Sequence, residues 1–254
     1  MPDKAKSHTA HAQGVWRLKY IASCSFGKDS LAAIICRVER SEPVDQAVYC
    51  HIMFDDESSA ELPEHEEWIF SHAIPILENR YGIKTAVVQA DQTYSDYFYR
   101  CYQKGNKVGQ IYGFPYLRGP WCNDRLKVTP IKSWQKQAGE HTAIIGIAAD
   151  EIRRIARNTK PNTVLPLVDY GITEKEAFTI CKKADLLSPA YSGGRERLGC
   201  WFCHNQRIDE LRRLRSEYPE LWQKLMLLDK DSPVTFKPRK TLDDFDKRFE
   251  GECN

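Results

Sequence analysis

At 254 residues, 42% hydrophobic and 28% charged, the chain is long enough for one large core and too apolar for wholesale disorder. Its 37 basic and 35 acidic residues leave a net charge of +2, so long-range attraction to nucleic acid is weak while a local basic cleft remains open. The absence of any apolar run of about eighteen residues removes a membrane-spanning helix from consideration. The polar stretch 1–14 reads as a short flexible tail without the apolar segment of a secretory leader, which makes cytoplasmic residence the expectation.

In chain order, Arg17 to Cys24 is a short apolar run that predicts a buried strand, and it ends at Ser25-Phe26-Gly27. A helical pattern starts near Asp29, with Leu31, Ile34, Ile35 and Val38 on one face. Ala47 to Phe54 predicts a second strand closing on Asp55-Asp56, Pro63 to Asn79 a helix with Pro63 in its first turn, and Lys84 to Val88 a third strand. A helix over Tyr94 to Cys101 precedes Gly105 to Asp124, whose glycines and prolines predict a long irregular excursion. Leu126 to Gln137 reads as a helix containing Pro130, His141 to Ile147 as an apolar strand, and Thr163 to Val168 as a strand or turn. Thr173 and Glu176 form a capping-box pattern ahead of a helix to Ala184. Leu187 to Cys203 is turn-rich, and helix returns from Ile208. Strands alternating with helices imply an α/β fold, a parallel sheet flanked by helices, over 15–207. Residues 208–254 read as a helical and irregular extension, lying on the main body or partly mobile.

The residues with chemical promise begin at the first strand-to-helix junction. Ser25, Phe26, Gly27, Lys28, Asp29 and Ser30 place free amides, two hydroxyls and an ammonium at a helix N-terminus, where an anion is stabilised. Asp29 suits a helix cap or a Mg²⁺ contact better than a phosphate contact. The same residues also serve an ordinary turn, and the pattern is not a Walker A loop.

This segment resembles the PP-loop of the ATP pyrophosphatase superfamily, which has an adenine nucleotide alpha-hydrolase-like fold, and further segments resemble its phosphoadenosine phosphosulfate (PAPS) reductase-like family. These are Phe54-Asp55-Asp56-Glu57, then Arg118 to Lys127 with Trp121, Cys122 and Arg125 ahead of Pro130. Gly146 to Glu151 follows, with Arg153 and Arg154, then Pro166-Leu167, Ser188-Pro189-Ala190-Tyr191 and Gly199-Cys200. The resemblance spans about 17–207 and departs from the family in two places. Phe26 replaces the first glycine of the loop, so a reshaped cradle is expected. Ala148 replaces an arginine, which moves anion binding onto Arg153, Arg154 or Arg157, residues that otherwise make a solvated helix face. The resemblance implies ATP or an adenylyl nucleotide, Mg²⁺, and nucleotide contacts from Asp55, Asp56 and Gly146.

Nine cysteines in a chain of this kind do not suggest a disulfide framework, and Cys24, Cys36, Cys50, Cys101 and Cys181 read as small buried or half-buried hydrophobes. Cys200 and Cys203 form a Cys-x-x-Cys turn, and Cys122 lies in a polar segment upstream. Three outcomes stay open. The triad holds a 4Fe–4S cluster with one iron free; or Asp124, His204 or another cysteine completes a closed cluster or a Zn²⁺ site; or Cys200 and Cys203 act as a redox dithiol.

The function expected is adenylation of a substrate with release of pyrophosphate and sulfur transfer at an iron–sulfur centre, with Lys28, Asp29 and Cys122 in catalytic roles. The alternatives are a PAPS or adenylyl sulfate reductase releasing sulfite, for which Cys253 is the shuttle thiol, and a nucleotide-binding protein without turnover. The partners implied are a small-molecule nucleotide, an RNA or DNA substrate, a sulfur donor or reductant protein, and a second copy in a homodimer; a membrane is not among them. Lys104, Lys107, Arg118, Arg125, Lys127 and Lys132 would meet a nucleic-acid backbone, and tyrosines from Tyr94 to Tyr116 would stack on unpaired bases or close over a small nucleotide.

Overall fold

Among the described residues five short strands form one parallel sheet, and the order in which the chain lays them down decides where a ligand can sit. A computed structural model describes residues 18–115 and 120–252. The strands are β1 (Lys19–Ser23), β2 (Gln46–Cys50), β3 (Lys84–Val88), β4 (His141–Ile145) and β5 (Thr163–Val164). They lie in the order β3-β2-β1-β4-β5, every neighbouring pair parallel. After β1 the chain builds outward to one side, and from β4 to the other. The crevice beyond the C-terminal ends of β1 and β4 is therefore the topological switch point, where open α/β sheets place their ligands.

Helices flank this sheet. Helix α1 (Lys28–Glu39) packs on β1 and β4, and its stretch Leu31 to Cys36 is buried all round, as expected of a helix enclosed between the sheet and other helices. Helix α2 covers 63–79 through a π turn at Ile69–Ala73, and α3 (Tyr94–Phe98) follows β3. Helix α4 runs over 121–138, with a π turn at Asp124–Val128 leading into Thr129–Ala138, and packs on β2 and β3. Two short helices, α5 (Ile152–Asn158) and α6 (Pro166–Asp169), precede α7 (Glu174–Lys183), which lies along α1. Thr173 caps α7 in a capping box with Glu176, as its sequence predicts.

The C-terminal helices are α8 (Ile208–Glu217), α9 (Pro219–Asp231) and α10 (Leu242–Glu252). They share an apolar cluster with Phe54, Tyr94, Trp201 and Phe202, distinct from the cluster under α1. Phe236, Leu242 and Phe245, scattered anchors in the sequence, are all buried in it. Through residue 252 the extension is thus built into the wall that carries the Cys-x-x-Cys turn. Among the described residues no helix is long and apolar enough to cross a membrane.

Candidate functional site

The loop between β1 and α1 is shaped by Phe26 and Ser30. Phe26 takes φ +55°, the left-handed conformation that glycine supplies at least cost. Its side chain is fully buried and meets Tyr49 edge-to-face at 5.1 Å. The substitution that predicts a reshaped cradle therefore sends its ring into the core. Ser30 binds the loop together: its hydroxyl donates to the Gly27 carbonyl at 2.9 Å and accepts from the Ser25 amide at 3.2 Å.

Gly146, at the exit of β4, presses against the first turn of α1. A Cβ there would lie 2.4 Å from the Asp29 carbonyl oxygen, so only glycine permits this approach. Tyr191, from a 3-10 turn at Pro189–Gly194, adds a hydroxyl that accepts from the Lys28 amide at 3.0 Å. Lys28 is buried, and its Nζ donates to Asp29 at 2.9 Å and to Glu174 of α7 at 3.1 Å. Burial opposes its charge, but the two carboxylates outweigh burial and hold its pKa above the ordinary value. Asp29 also sits above its ordinary value: burial, with Glu174 and Glu151 nearby, outweighs the contact with Lys28. The loop end of the site is thus a tight cluster of one ammonium and three carboxylates at a helix N-terminus.

A cavity of about 650 Å³ opens from this loop, a volume suited to a small-molecule ligand. Ser25, Gly27, Lys28, Asp29, Ser30 and Gly146 line one end, and Cys122, Cys200 and Cys203 line the other. Lys127, Glu151, Arg154, Glu174 and Tyr191 also face it. Four expected contacts lie elsewhere. Asp55 accepts from the Ser58 amide and hydroxyl at 2.6 Å and pairs with Lys224 of α9 at 3.6 Å, so it braces its own turn outside the cavity wall, and Asp56 beside it is exposed. Arg153 and Arg157 lie exposed on α5, and of that basic run Arg154 alone reaches the cavity, paired with Glu151.

At the far end, the Cys200–Cys203 turn is fixed by backbone and side-chain bonds. The Cys203 amide donates to the Cys200 carbonyl at 3.0 Å, as does the Gln206 amide to the Cys203 carbonyl, and Gln206 Nε2 reaches the Cys200 carbonyl at 3.1 Å. Trp201 anchors the turn to the strand exit through Nε1 and the Ser59 carbonyl at 2.9 Å. Cys122 enters from the first turn of α4. Burial, then the neighbouring Cys203, pushes the Cys122 thiol up to about 12. Burial, then Glu61 and Cys203, holds Cys200 well above its ordinary value. Burial thus disfavours the free thiolate at Cys122 and Cys200.

Around the cysteine end three side-chain polar atoms bear on what it could hold. Tyr94 Oη, Trp121 Nε1 and His204 Nδ1 are buried without a hydrogen-bond partner, and Tyr94 and His204 line the cavity with the cysteines while Trp121 is the neighbour of Cys122. Buried orphans of this kind call for an acceptor, and sulfide and thiolate sulfurs supply several. Among the described residues no three His, Cys, Asp or Glu side chains are arranged as a ready shell for a single metal ion. Asp124, one candidate fourth ligand, is turned to solvent beside Arg125 at 3.6 Å, whereas His204 faces the cavity. Cys253, Arg118 and Tyr116 lie outside the described residues. Cys24, Cys36, Cys50 and Cys181 are buried and Cys101 half-buried.

The sequence reading assigned no role to Glu174, Tyr191's hydroxyl, Tyr94's hydroxyl or Glu61. The capping box ahead of α7 was the one signal near Glu174, and it spoke of a helix end.

No family model matches the chain. It is similar to an uncharacterized protein of Methanocaldococcus jannaschii, 26% identical over 212 residues, which covers 79% of this chain and 39% of that protein. It is also similar to an uncharacterized nin region protein of Escherichia phage lambda, 32% identical over 95 residues, 36% of this chain and 31% of the phage protein. The matched stretches thus span under two fifths of the length of either relative.

Proposed function

We propose that the chain binds ATP or a related adenylyl nucleotide on the Ser25–Ser30 loop, adenylates an acceptor with release of pyrophosphate, and lets sulfide-level sulfur attack the activated carbon so that its oxygen leaves with AMP. The observation that carries this reading is the single cavity with the helix N-terminal loop at one end and three cysteines at the other. The first-turn amides of α1 and the Lys28 ammonium receive the phosphates, Lys28 exchanging carboxylate partners for phosphate oxygens. Asp29, Glu151 and Glu174 line the same cavity, and any of them would be a carboxylate partner for Mg²⁺ carried in on those phosphates. An acceptor oxygen attacks the α-phosphorus as the bond to pyrophosphate breaks. Cys122, Cys200 and Cys203 would hold a 4Fe–4S cluster, which supplies a binding point for inorganic sulfur. Tyr94, Trp121 and His204 would donate to its sulfurs, and Trp201 and Phe202 exclude water behind it.

Anaerobic purification with iron, sulfide and zinc quantified, repeated on Cys200→Ala, tests the cysteine end; pyrophosphate release from ATP tests the loop. Equal iron and sulfide that disappear in the variant support the reading. One equivalent of zinc sinks the cluster, and ATP binding with sulfite release from adenylyl sulfate moves the protein to the reductases.

A further inference from the structure

We infer that the hairpin over 101–112 is a docking surface for single-stranded RNA. From Tyr97 to Asn123 the sequence holds no acidic residue, while Arg100, Lys104, Lys107 and Arg118 are basic. In a chain of net charge +2 this is a local concentration that the total conceals. The Tyr112 amide donates to the Arg100 carbonyl at 2.9 Å, Tyr102 to Gln110 at 2.9 Å and Gly109 to Tyr102 at 3.1 Å, so the segment folds back on itself. Gly105 and Gly109, at φ +80° and +82°, turn the tip, and residues 103–110 are exposed. Among the described residues neither Lys104 nor Lys107 is within ion-pair distance of a carboxylate.

Aromatic rings and cations are interleaved along this surface. Tyr102 and Tyr112 lie with ring centres 4.5 Å apart, and Lys107 Nζ stands 5.7 Å from the Tyr102 ring. Nearer the cavity Arg100 covers Tyr97 at 4.7 Å, and Tyr97 stacks on Trp121 at 5.6 Å. Half-buried rings beside unpaired ammonium groups suit unpaired bases with their phosphates, since every base offers a π face. The exposed amides of Asn106 and Gln110 can bond a 2′-hydroxyl as donor or acceptor, a contact that RNA offers and DNA does not. The hairpin also roots in the site. Its outgoing strand leaves α3, which carries Tyr94, and its return runs to Pro115 on the cavity wall. An RNA held here presents a base to the nucleotide end, so the inference names the acceptor class and in that respect rests on the function proposed above.

The test is fluorescence anisotropy of a labelled unstructured 20-nucleotide RNA titrated with the full chain, without ATP, at low and moderate salt. RNA should bind and weaken with salt, and Lys104→Gln with Lys107→Gln should lower the log–log salt slope by about 1–2. Tyr102→Ala should weaken binding about tenfold while leaving the thermal melt cooperative. DNA of the same sequence and a blunt RNA duplex should each bind at least about fivefold more weakly. Absence of RNA binding by protein that melts cooperatively, equal binding of DNA, or affinity unchanged in both variants overturns the inference. ATP binding is measured separately by calorimetry. RNA binding without ATP binding would remove the nucleotide function and leave the RNA surface standing, and the converse result would do the opposite.

Discussion

Phe26 holds a left-handed backbone conformation while its ring packs into the core. The loop position was legible because an apolar strand, a glycine and a helix start are local signals. The left-handed φ of Phe26 was not, because its cost is met by a pocket built from Tyr49 and residues distant in sequence. Phe26→Gly should remove the strained backbone, worth about 1 kcal/mol, and forfeit a buried ring worth about 3–5 kcal/mol. A net loss of about 2–4 kcal/mol in urea unfolding is expected, with ATP affinity within about threefold of wild type by calorimetry. Loss of ATP affinity in protein that is still folded would show that the ring itself shapes the cradle. Gly146 carries the opposite expectation. Gly146→Ala drives a Cβ against the backbone of Asp29 and Ser30 and separates the β4 exit from α1. ATP affinity should fall at least about tenfold, at a stability cost of about 1–3 kcal/mol. Asp55 marks the limit of reading side chains locally, since an acidic pair after a strand looks like a ligand contact yet here satisfies the amides of its own turn.

At the scale of elements, the strand-helix alternation was readable because periodicity survives any tertiary detail, and β3 has the bounds its sequence predicts. What the elements do to one another was not. The capping box at Thr173 gives the start of α7, but only the packing of α7 on α1 brings Glu174 to Lys28. Under the nucleotide reading proposed above, that contact makes Glu174 a competitor of the phosphates for the same ammonium. Glu174→Gln removes one negative charge beside the phosphates while Asp29 keeps Lys28 in place. Mg²⁺-free ATP should bind about three- to tenfold more tightly in calorimetric titrations. Weaker binding would mean that Glu174 holds Lys28 in its productive position. The long excursion after α3 was likewise recognised as irregular, yet its hairpin depends on backbone pairing across many residues and left no periodic trace.

Over the whole molecule, the sheet and its switch point follow from the alternation of elements, but the placement of the cysteine turn does not. Trp201 and Phe202 share a core with α8, α9 and α10, and no sequence spacing announces contacts between segments so far apart. The same long-range packing gives His65 its own contribution to the pH dependence of stability, opposed over the same range by Glu61, whose folded carboxyl binds its proton more readily than the unfolded one. This imidazole is 2% exposed, lies 2.8 Å from the Ser188 hydroxyl and stacks on Trp68 at 5.8 Å. Burial pushes its pKa down to about 4. Glu61, 3.9 Å away, offers no counter-charge in acid, because burial pushes its carboxyl up to about 7. Between the unfolded value near 6.5 and the folded value, the unfolded chain binds more protons at His65, so this residue's contribution to stability is lost as pH falls. The loss should reach on the order of 2–3 kcal/mol between pH 7 and pH 4. His65→Gln keeps a polar partner for Ser188 and does not titrate. Urea unfolding at pH 7, 5.5 and 4 should show the variant gaining on wild type by that amount as the solution acidifies. A difference that stays constant across the series would mean that His65 takes up its proton inside the folded core without cost.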